Sequence, residues 1–134
     1  MEPAVIYGFV ARHAARRPAA EPVVDGATRL TFADLSSRVD EIAAALLAHG
    51  IGKGDRVATL APPSLDFWLT YHATVSIGAI WHGLNPVYRE REFAYLLGDA
   101  KPALVFARSP FVEPALPLLP NGKIDKQTLK QRIG

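Results

Sequence analysis

Few residues of this sequence have a type and spacing that could do chemistry, and the most prominent is a lysine near its end. Lys123 lies in PNGKIDKQTLKQR, residues 120–132. By spacing alone it is a lysine in a turn before a short basic helix. Neither this stretch nor IGKGD, residues 51–55, has the GxxxxGK[ST] or GxGxxG spacing that holds nucleotide phosphates. IGKGD is therefore predicted to be a helix-to-strand turn rather than an anion site.

Aromatic and histidine side chains provide the next candidates. Trp68, Tyr71 and Trp81 allow two interpretations, an acyl-binding pocket or the packed core that is usual for aromatic residues at helical or strand spacing, and we favour the core. His72 and His82 are predicted to be packed, hydrogen-bonded members of the same core. The four histidines show no ligand-like spacing with carboxylates, and cysteine is absent, so the sequence predicts no metal site, disulfide or thiol chemistry.

Composition limits the class of protein that these residues can serve. The 134 residues are 49% hydrophobic and 21% charged, which is typical of one folded domain. A net charge of +2 is too small to indicate a nucleic-acid partner. The first residues do not resemble a secretory signal, and we expect a cytoplasmic protein. The uncharged stretch 67–88 contains His72, His82, Asn85 and Pro86, which favours a buried helix and strand over a membrane span.

The first half of the chain predicts two helices and a hairpin. A helix over 7–16 places Phe9, Val10 and Ala14 on its core side and its arginines in solvent. Asp25-Gly26 predicts the tight turn of a β-hairpin near 23–31. Thr31 is the expected N-cap of the next helix, with Asp34 in its first turn, and Gly50 fits the position that ends it.

The second half predicts alternating strands and helices. Apolar runs predict strands near 56–61, 79–84 and 102–107, with a helix capped by Ser64 after the first and a short helix over 89–100 before the last. The order β-α-β-α-β indicates a parallel sheet with flanking helices, an α/β fold. Prolines at 110, 114, 117 and 120 then indicate a linker.

Several of these stretches together resemble a known family. The pieces LTFADL, GIGKGDRVA, GAIWHGLNPVYREREFAYLLGDA and LPLLPNGKIDK occur in the order seen in acyl-CoA synthetases of the AMP-forming adenylating enzyme superfamily. The resemblance covers about residues 3–107 and the tail. It implies a partial three-layer parallel sheet, with 1–109 a truncated N-terminal adenylation domain and 110–134 a proline-rich linker and remnant of the C-terminal small domain.

The same resemblance implies a reaction and its participants. The parent enzymes use ATP, magnesium and coenzyme A to convert a carboxylic or fatty acid into an acyl-adenylate and then a thioester. Lys123 matches the lysine that approaches the acyl carboxylate and the nucleotide phosphate. The phosphate loop, adenine pocket, ribose-binding Asp and magnesium-binding Glu that the resemblance implies have no counterpart here, so we expect no bound cofactor and a missing middle of the enzyme.

Three functions therefore remain open. The favoured one is an internally deleted acyl-CoA synthetase that is inactive alone. The second is one part of a split ligase, in which another polypeptide supplies the nucleotide site. The third is a non-catalytic interaction module whose open sheet edge pairs with a partner or a second copy.

Overall fold

Residues 6–108 form four helices and five strands in the computed structural model, and these are the residues that the structure describes. In chain order the elements are α1 Ile6–Arg16, β1 Val23–Asp25, β2 Thr28–Leu30, α2 Phe32–Ala48, β3 Arg56–Leu60, α3 Leu65–Ser76, β4 Ile80–Leu84, α4 Glu90–Ala100 and β5 Leu104–Ala107. The predictions for the proline-rich linker, the last basic helix and Lys123 lie outside the described residues.

Three parallel strands form the central sheet in the order β4-β3-β5. Val57 in the middle strand is in register with Trp81 on one side and Leu104 on the other. The short strands β1 and β2 form a separate antiparallel hairpin around Gly26, whose φ of 59° suits a tight turn. The predicted parallel sheet and hairpin are both confirmed.

Helices cover both faces of the sheet, because side chains of a strand alternate between faces. Val57 packs into a cluster with residues of α1, α2 and α3, whereas its neighbour Ala58 packs with Leu97 of α4 and Val105. The cluster of the three helices contains eleven buried residues and the α4 cluster five, so the first is the main core. The result is the predicted three-layer α/β arrangement.

Local signals set the ends of α2 as predicted. The Thr31 hydroxyl accepts a hydrogen bond from the Asp34 N–H at 3.1 Å, and the Asp34 carboxylate accepts one from the Thr31 N–H at 3.0 Å. This reciprocal pair satisfies two N–H groups that the helix start leaves free. Gly50, with φ of 80°, follows the last turn and reverses the chain.

One predicted core residue of α1 is on the surface. Phe9 is 56% exposed, whereas the adjacent Val10 is buried. Consecutive residues point about 100° apart around a helix, and α1 contacts the rest of the fold along one stripe only. Phe9 instead lies beside the Arg12 guanidinium, 5.7 Å from its ring centre. The placement of Phe9 in the core was therefore wrong.

The helices of residues 6–108 include none with the length and the apolar character needed to cross a bilayer. The uncharged stretch between positions 67 and 88 divides instead into α3, a turn and β4, as the sequence predicts.

Candidate active site

Strands β3, β4 and β5 end at the same edge of the sheet, because they are parallel and Leu60 is in register with Leu84 and Ala107. Segments 61–64 and 85–89 leave this edge toward α3 and α4. Ligands of open α/β sheets bind beyond the carboxyl ends of the strands. This edge is therefore the candidate active site of the described residues.

A carboxylate already occupies the start of α3 at this edge. The Asp25 carboxylate, from the hairpin, accepts a hydrogen bond from the Leu65 N–H at 3.1 Å. The Ser64 hydroxyl accepts a second one from the Phe67 N–H at 3.4 Å. Free N–H groups at a helix start are what binds phosphate, so α3 offers little of that capacity.

The start of α4 is also negatively charged. Glu90 and Glu92 stand in its first turn, and the Glu92 carboxylate accepts a hydrogen bond from the Arg89 N–H at 2.7 Å. Carboxylates stabilise a helix start for the same electrostatic reason that a phosphate would, and they repel a phosphate from it. Both helix starts at this edge therefore have a carboxylate where a nucleotide phosphate site would have an anion.

The turn IGKGD is closed by its own aspartate. Asp55 accepts a hydrogen bond from the Gly52 N–H at 2.8 Å, and its own N–H donates to the Gly52 carbonyl at 3.1 Å. Gly54 supplies the positive φ of 86° that the turn requires. The prediction of a helix-to-strand turn is confirmed, and the carboxylate makes this turn unsuitable for an anion.

The aromatic residues form a packed layer between α3 and β4. Trp81 contacts Phe67 and Tyr71 edge-on, with ring centres 4.9 and 5.1 Å apart. Its indole N–H donates to the Thr59 hydroxyl at 3.1 Å. Tyr71 and Trp81 therefore pack between the two elements as the core interpretation predicts. Trp68 is 37% exposed, so its predicted place in the core was wrong.

The hydroxyl groups of Thr59 and Thr70 make it possible to assign the donor and acceptor of each hydrogen bond below the indole. The Thr70 hydroxyl donates to the Phe67 carbonyl at 3.0 Å, so its contact of 3.0 Å with Thr59 must be one in which Thr59 donates. The Thr59 oxygen is then free to accept from Trp81. The indole thus donates to Thr59, Thr59 to Thr70, and Thr70 to the Phe67 carbonyl. These hydrogen bonds hold the indole over Gly83, where an added Cβ would lie 2.5 Å from the Trp81 ring.

His72 is the one buried side chain of the described residues whose polar atoms have no partner. It is 5% exposed, and both ring nitrogens lack a hydrogen bond. The rings of Trp68, Tyr71 and Tyr7 surround it at 4.5, 5.0 and 6.4 Å. The predicted packing is confirmed, but the predicted hydrogen bonding is wrong, because aromatic faces and edges supply no acceptor or donor of matching geometry.

Burial without a partner also changes the acidity of this residue. Removal from water disfavours the charged imidazolium, so burial lowers the pKa of His72 below its usual value. His82 is only partly buried and lies on the opposite face of the sheet, in register with Ala58. It makes no side-chain hydrogen bond within residues 6–108, so its predicted place as a hydrogen-bonded member of the same core was wrong.

A surface groove next to the candidate edge was missed in the sequence. It has a volume of about 690 Å³ and is lined by Tyr88, Arg89, Arg91, Glu92, Tyr95 and Leu96; we call it the α4 groove. Tyr95 is 71% exposed and Tyr88 38%. Both tyrosines are visible in the sequence, but Tyr88 lies in the turn before α4 and Tyr95 inside the helix. Only the tertiary structure therefore shows that they line one groove.

Comparison with known proteins places this unit in a family. Residues 10–132 match the sequence model described as AMP-binding enzyme. The chain belongs to this family. The match covers most of the chain, including the C-terminal stretch that contains Lys123, and it confirms the resemblance to acyl-CoA synthetases and other adenylating enzymes.

Individual relatives are much longer than this chain. The mitochondrial medium-chain acyl-CoA ligase of Macaca fascicularis is 40% identical over 98 residues, which are 71% of this chain and 16% of the ligase. Enterobactin synthase component F of Escherichia coli O157:H7 is 33% identical over 97 residues, 72% of this chain and 8% of the synthase. The chain thus spans less than a fifth of either relative.

A solved structure shows the same arrangement of elements. The fatty acyl CoA synthetase of Mycobacterium tuberculosis superimposes with a TM-score of 0.76 over 85% of this chain and 22% of that protein, at 27% identity. Residues 6–108 therefore have the fold of one part of an adenylating enzyme. The relatives include a medium-chain acyl-CoA ligase and an enterobactin synthase component, so membership alone does not identify the carboxylic acid.

Proposed function

We propose that this chain is a shortened member of the AMP-binding enzyme family that does not activate a carboxylic acid on its own. The ancestral reaction is activation of a carboxylic or fatty acid by ATP and magnesium, followed by transfer to coenzyme A. In this proposal residues 1–109 correspond to a truncated N-terminal adenylation domain. Residues 110–134 correspond to a linker and a remnant of the C-terminal small domain, and the protein resides in the cytoplasm.

The observation that carries the proposal is the state of the two helix starts at the carboxyl edge. Asp25 accepts from the first N–H of α3, and Glu92 accepts from the N–H of Arg89 directly before α4. A nucleotide phosphate at either helix start would therefore meet a carboxylate. No glycine-rich phosphate loop occurs anywhere in the 134 residues. ATP would thus be held weakly at this edge.

Lys123 is the residue proposed to descend from the catalytic lysine. Adenylation develops negative charge at the α-phosphate, and a lysine stabilises it only when the phosphate is held in place. A lysine near an unheld nucleotide contributes on the order of 1 kcal/mol or less. Enzymes lower barriers by about 8 kcal/mol or more. Lys123 alone is therefore insufficient.

Hydroxamate trapping tests this proposal directly. The purified full chain is incubated with magnesium, ATP, hydroxylamine and a set of fatty acids, and hydroxamate is quantified against a Lys123→Ala variant. We expect both proteins to give the background amount. Hydroxamate that the parent chain produces and Lys123→Ala loses would overturn the proposal in favour of a catalytic protein, alone or as part of a split ligase.

A second candidate function is an interaction module, and the sheet edges favour it. Strands β4 and β5 each have one side unpaired by any other strand of residues 6–108. Neither contains a lysine, an acidic residue or a proline, the usual protection of an edge. Ile80 at the start of β4 is 51% exposed.

The edge hypothesis makes a distinct prediction about mass in solution. If β4 pairs with a second copy, the chain is a dimer at micromolar concentration, and Ile80→Lys converts it to a folded monomer because a charge at an edge opposes pairing. Sedimentation equilibrium measures both proteins. A monomeric parent chain up to 100 times that concentration, on the order of 0.1 mM, would exclude self-pairing through this edge.

A further inference from the structure

The α4 groove has the lining of a site for extended, proline-rich chain. Its apolar surface comes from Tyr88, Tyr95 and Leu96, and its rim from Arg89, Arg91 and Glu92. Grooves lined by aromatic side chains bind polyproline II segments, because a proline ring packs on a tyrosine face without loss of backbone hydrogen bonds. Next to it Val87 is 81% exposed, which extends the apolar surface toward the sheet edge.

The sequence beyond β5 contains a segment with matching periodicity. In EPALPLLP the prolines 114, 117 and 120 are three residues apart. A polyproline II helix has three residues per turn and rises about 3.1 Å per residue. In that conformation the three prolines would lie on one side of the segment, over a length of about 19 Å. The groove is lined by residues between positions 88 and 96, which extend about 12 Å along the start of α4. Two successive spaced prolines, about 9 Å apart, fit within that length.

Topology makes the groove accessible to this segment. Strands β4 and β5 flank β3 on either side, so their ends at Leu84 and Ala107 lie about 10 Å apart at one edge. The groove begins four residues after β4 ends, at Tyr88. Six residues of extended chain from Arg108 to Pro114 reach about 20 Å, which exceeds that separation.

Charge favours the same occupant. Arg89 and Arg91 line the groove, and the only ion pair described within residues 6–108 joins Arg29 and Glu21. Glu92 directs one carboxylate oxygen at the Arg89 N–H. The segment carries Glu113 directly before its first spaced proline, so docking would bring one carboxylate to a rim with two guanidinium groups.

We propose that residues 110–120 of the same chain bind in the α4 groove as a polyproline II segment, with Pro114, Pro117 and Pro120 facing Tyr88 and Tyr95. The interaction is intramolecular, and a short connection gives it an effective concentration in the millimolar range, so a weak contact suffices. The proposal is independent of the proposed function, because it requires neither ATP nor an active Lys123.

The absence of cysteine permits a clean test in the full chain. Asn121→Cys, next to the last spaced proline, is labelled with a nitroxide, and paramagnetic broadening of amide signals is recorded by NMR. We expect strong broadening at positions 88–96 and none along Ile6–Arg16, which belongs to the helices on the other face of the sheet. Reduction of the nitroxide restores the signals and serves as the reference.

Two variants and one mixture decide between occupants. Replacement of Pro114, Pro117 and Pro120 by alanine should lower the broadening at least threefold, and so should Tyr95→Ser in the groove. The chemical shifts of the α2 and α3 amides should not change, which would show that the fold is retained. In a separate sample, a chain that carries the nitroxide but no NMR-active isotope is mixed with an isotope-enriched chain that carries no nitroxide. Equal broadening in the mixture would show a second copy as the occupant, and no broadening in the single chain would show an empty groove; either result overturns the proposal.

Discussion

At the scale of single residues, the burial of His72 links the stability of the fold to pH. Because burial lowers the pKa of His72, the unfolded chain takes up its proton at a higher pH than the folded chain. The contribution of neutral His72 to stability is therefore complete above about pH 7 and declines as the pH falls from the unfolded pKa of about 6.5 through the lower folded pKa.

This behaviour gives a prediction for His72→Leu. We expect the variant to raise the free energy of unfolding at pH 7 by about 1 kcal/mol, because two buried nitrogens without partners are removed. The decrease in stability between pH 7 and 5 should also become smaller. Urea unfolding at several pH values measures both effects. An unchanged slope in His72→Leu would contradict the assignment.

Gly83 gives a second prediction at this scale. A Cβ at position 83 would meet the rings of Trp81 and Phe67 at 2.5 and 3.0 Å, and the hydrogen bond to Thr59 hinders the indole from moving away. Gly83→Ala should cost about 1–3 kcal/mol of stability and alter the near-ultraviolet circular dichroism. The matched control Gly98→Ala, with open space around it, should leave stability equal or higher by up to about 1 kcal/mol.

At the scale of elements, α2 depends on its first turn. The N–H and hydroxyl of Thr31 both donate to the Asp34 carboxylate and hold the pKa of Asp34 below its ordinary value. That stabilising effect is present above about pH 4 and is lost as the pH falls through the folded pKa. Since α2 contributes the largest share of the main core, including Leu35, Val39 and Leu46, its start affects the whole unit.

Thr31→Ala should therefore lower the free energy of unfolding by about 1 kcal/mol, because one N–H of the helix start loses its acceptor. The pKa of Asp34, followed by NMR titration, should rise toward its ordinary value. Thr28→Ala, at an exposed position of β2, is the control and should change neither quantity appreciably. An Asp34 titration that is identical in Thr31→Ala and the parent chain would contradict the capping arrangement.

At the scale of the whole molecule, the two core clusters differ in size and predict unequal stability. Leu46 belongs to the cluster of eleven buried residues and Leu97 to that of five. Replacing either by alanine should cost about 2–5 kcal/mol at its own site. A small cluster at the margin of the fold can open separately from the main core, so the consequences for the rest of the chain should differ.

Amide hydrogen exchange measures this difference. In Leu97→Ala we expect faster exchange confined to α4 and β5, with α2 and α3 still protected. In Leu46→Ala we expect faster exchange throughout residues 6–108, since the main core supports every element. Uniform loss of protection in both variants would mean that the two faces of the sheet unfold as one unit.

Much of the fold was determined by the sequence itself, because its causes are local. Thr31 and Gly50 set the ends of α2 through their immediate neighbours, and Asp25-Gly26 sets the hairpin turn. Short apolar runs set the three strands of the parallel sheet, which have four or five residues each. The order of these elements then left a parallel sheet with helices on both faces as the simplest arrangement. The family followed from the same stretches.

Tertiary structure alone decided the features that join distant residues. Asp25 accepts a hydrogen bond from the start of α3, 40 positions further along the chain, and Trp81 donates to Thr59 across 22 positions. His72 is enclosed by aromatic rings from α1 and α3, so neither of its ring nitrogens has a hydrogen-bond partner. Phe9 and Val10 look equivalent in the sequence, yet only the angle of α1 against α2 and α3 buries one and exposes the other. Such outcomes depend on how elements pack, and local periodicity carries no information about the partner.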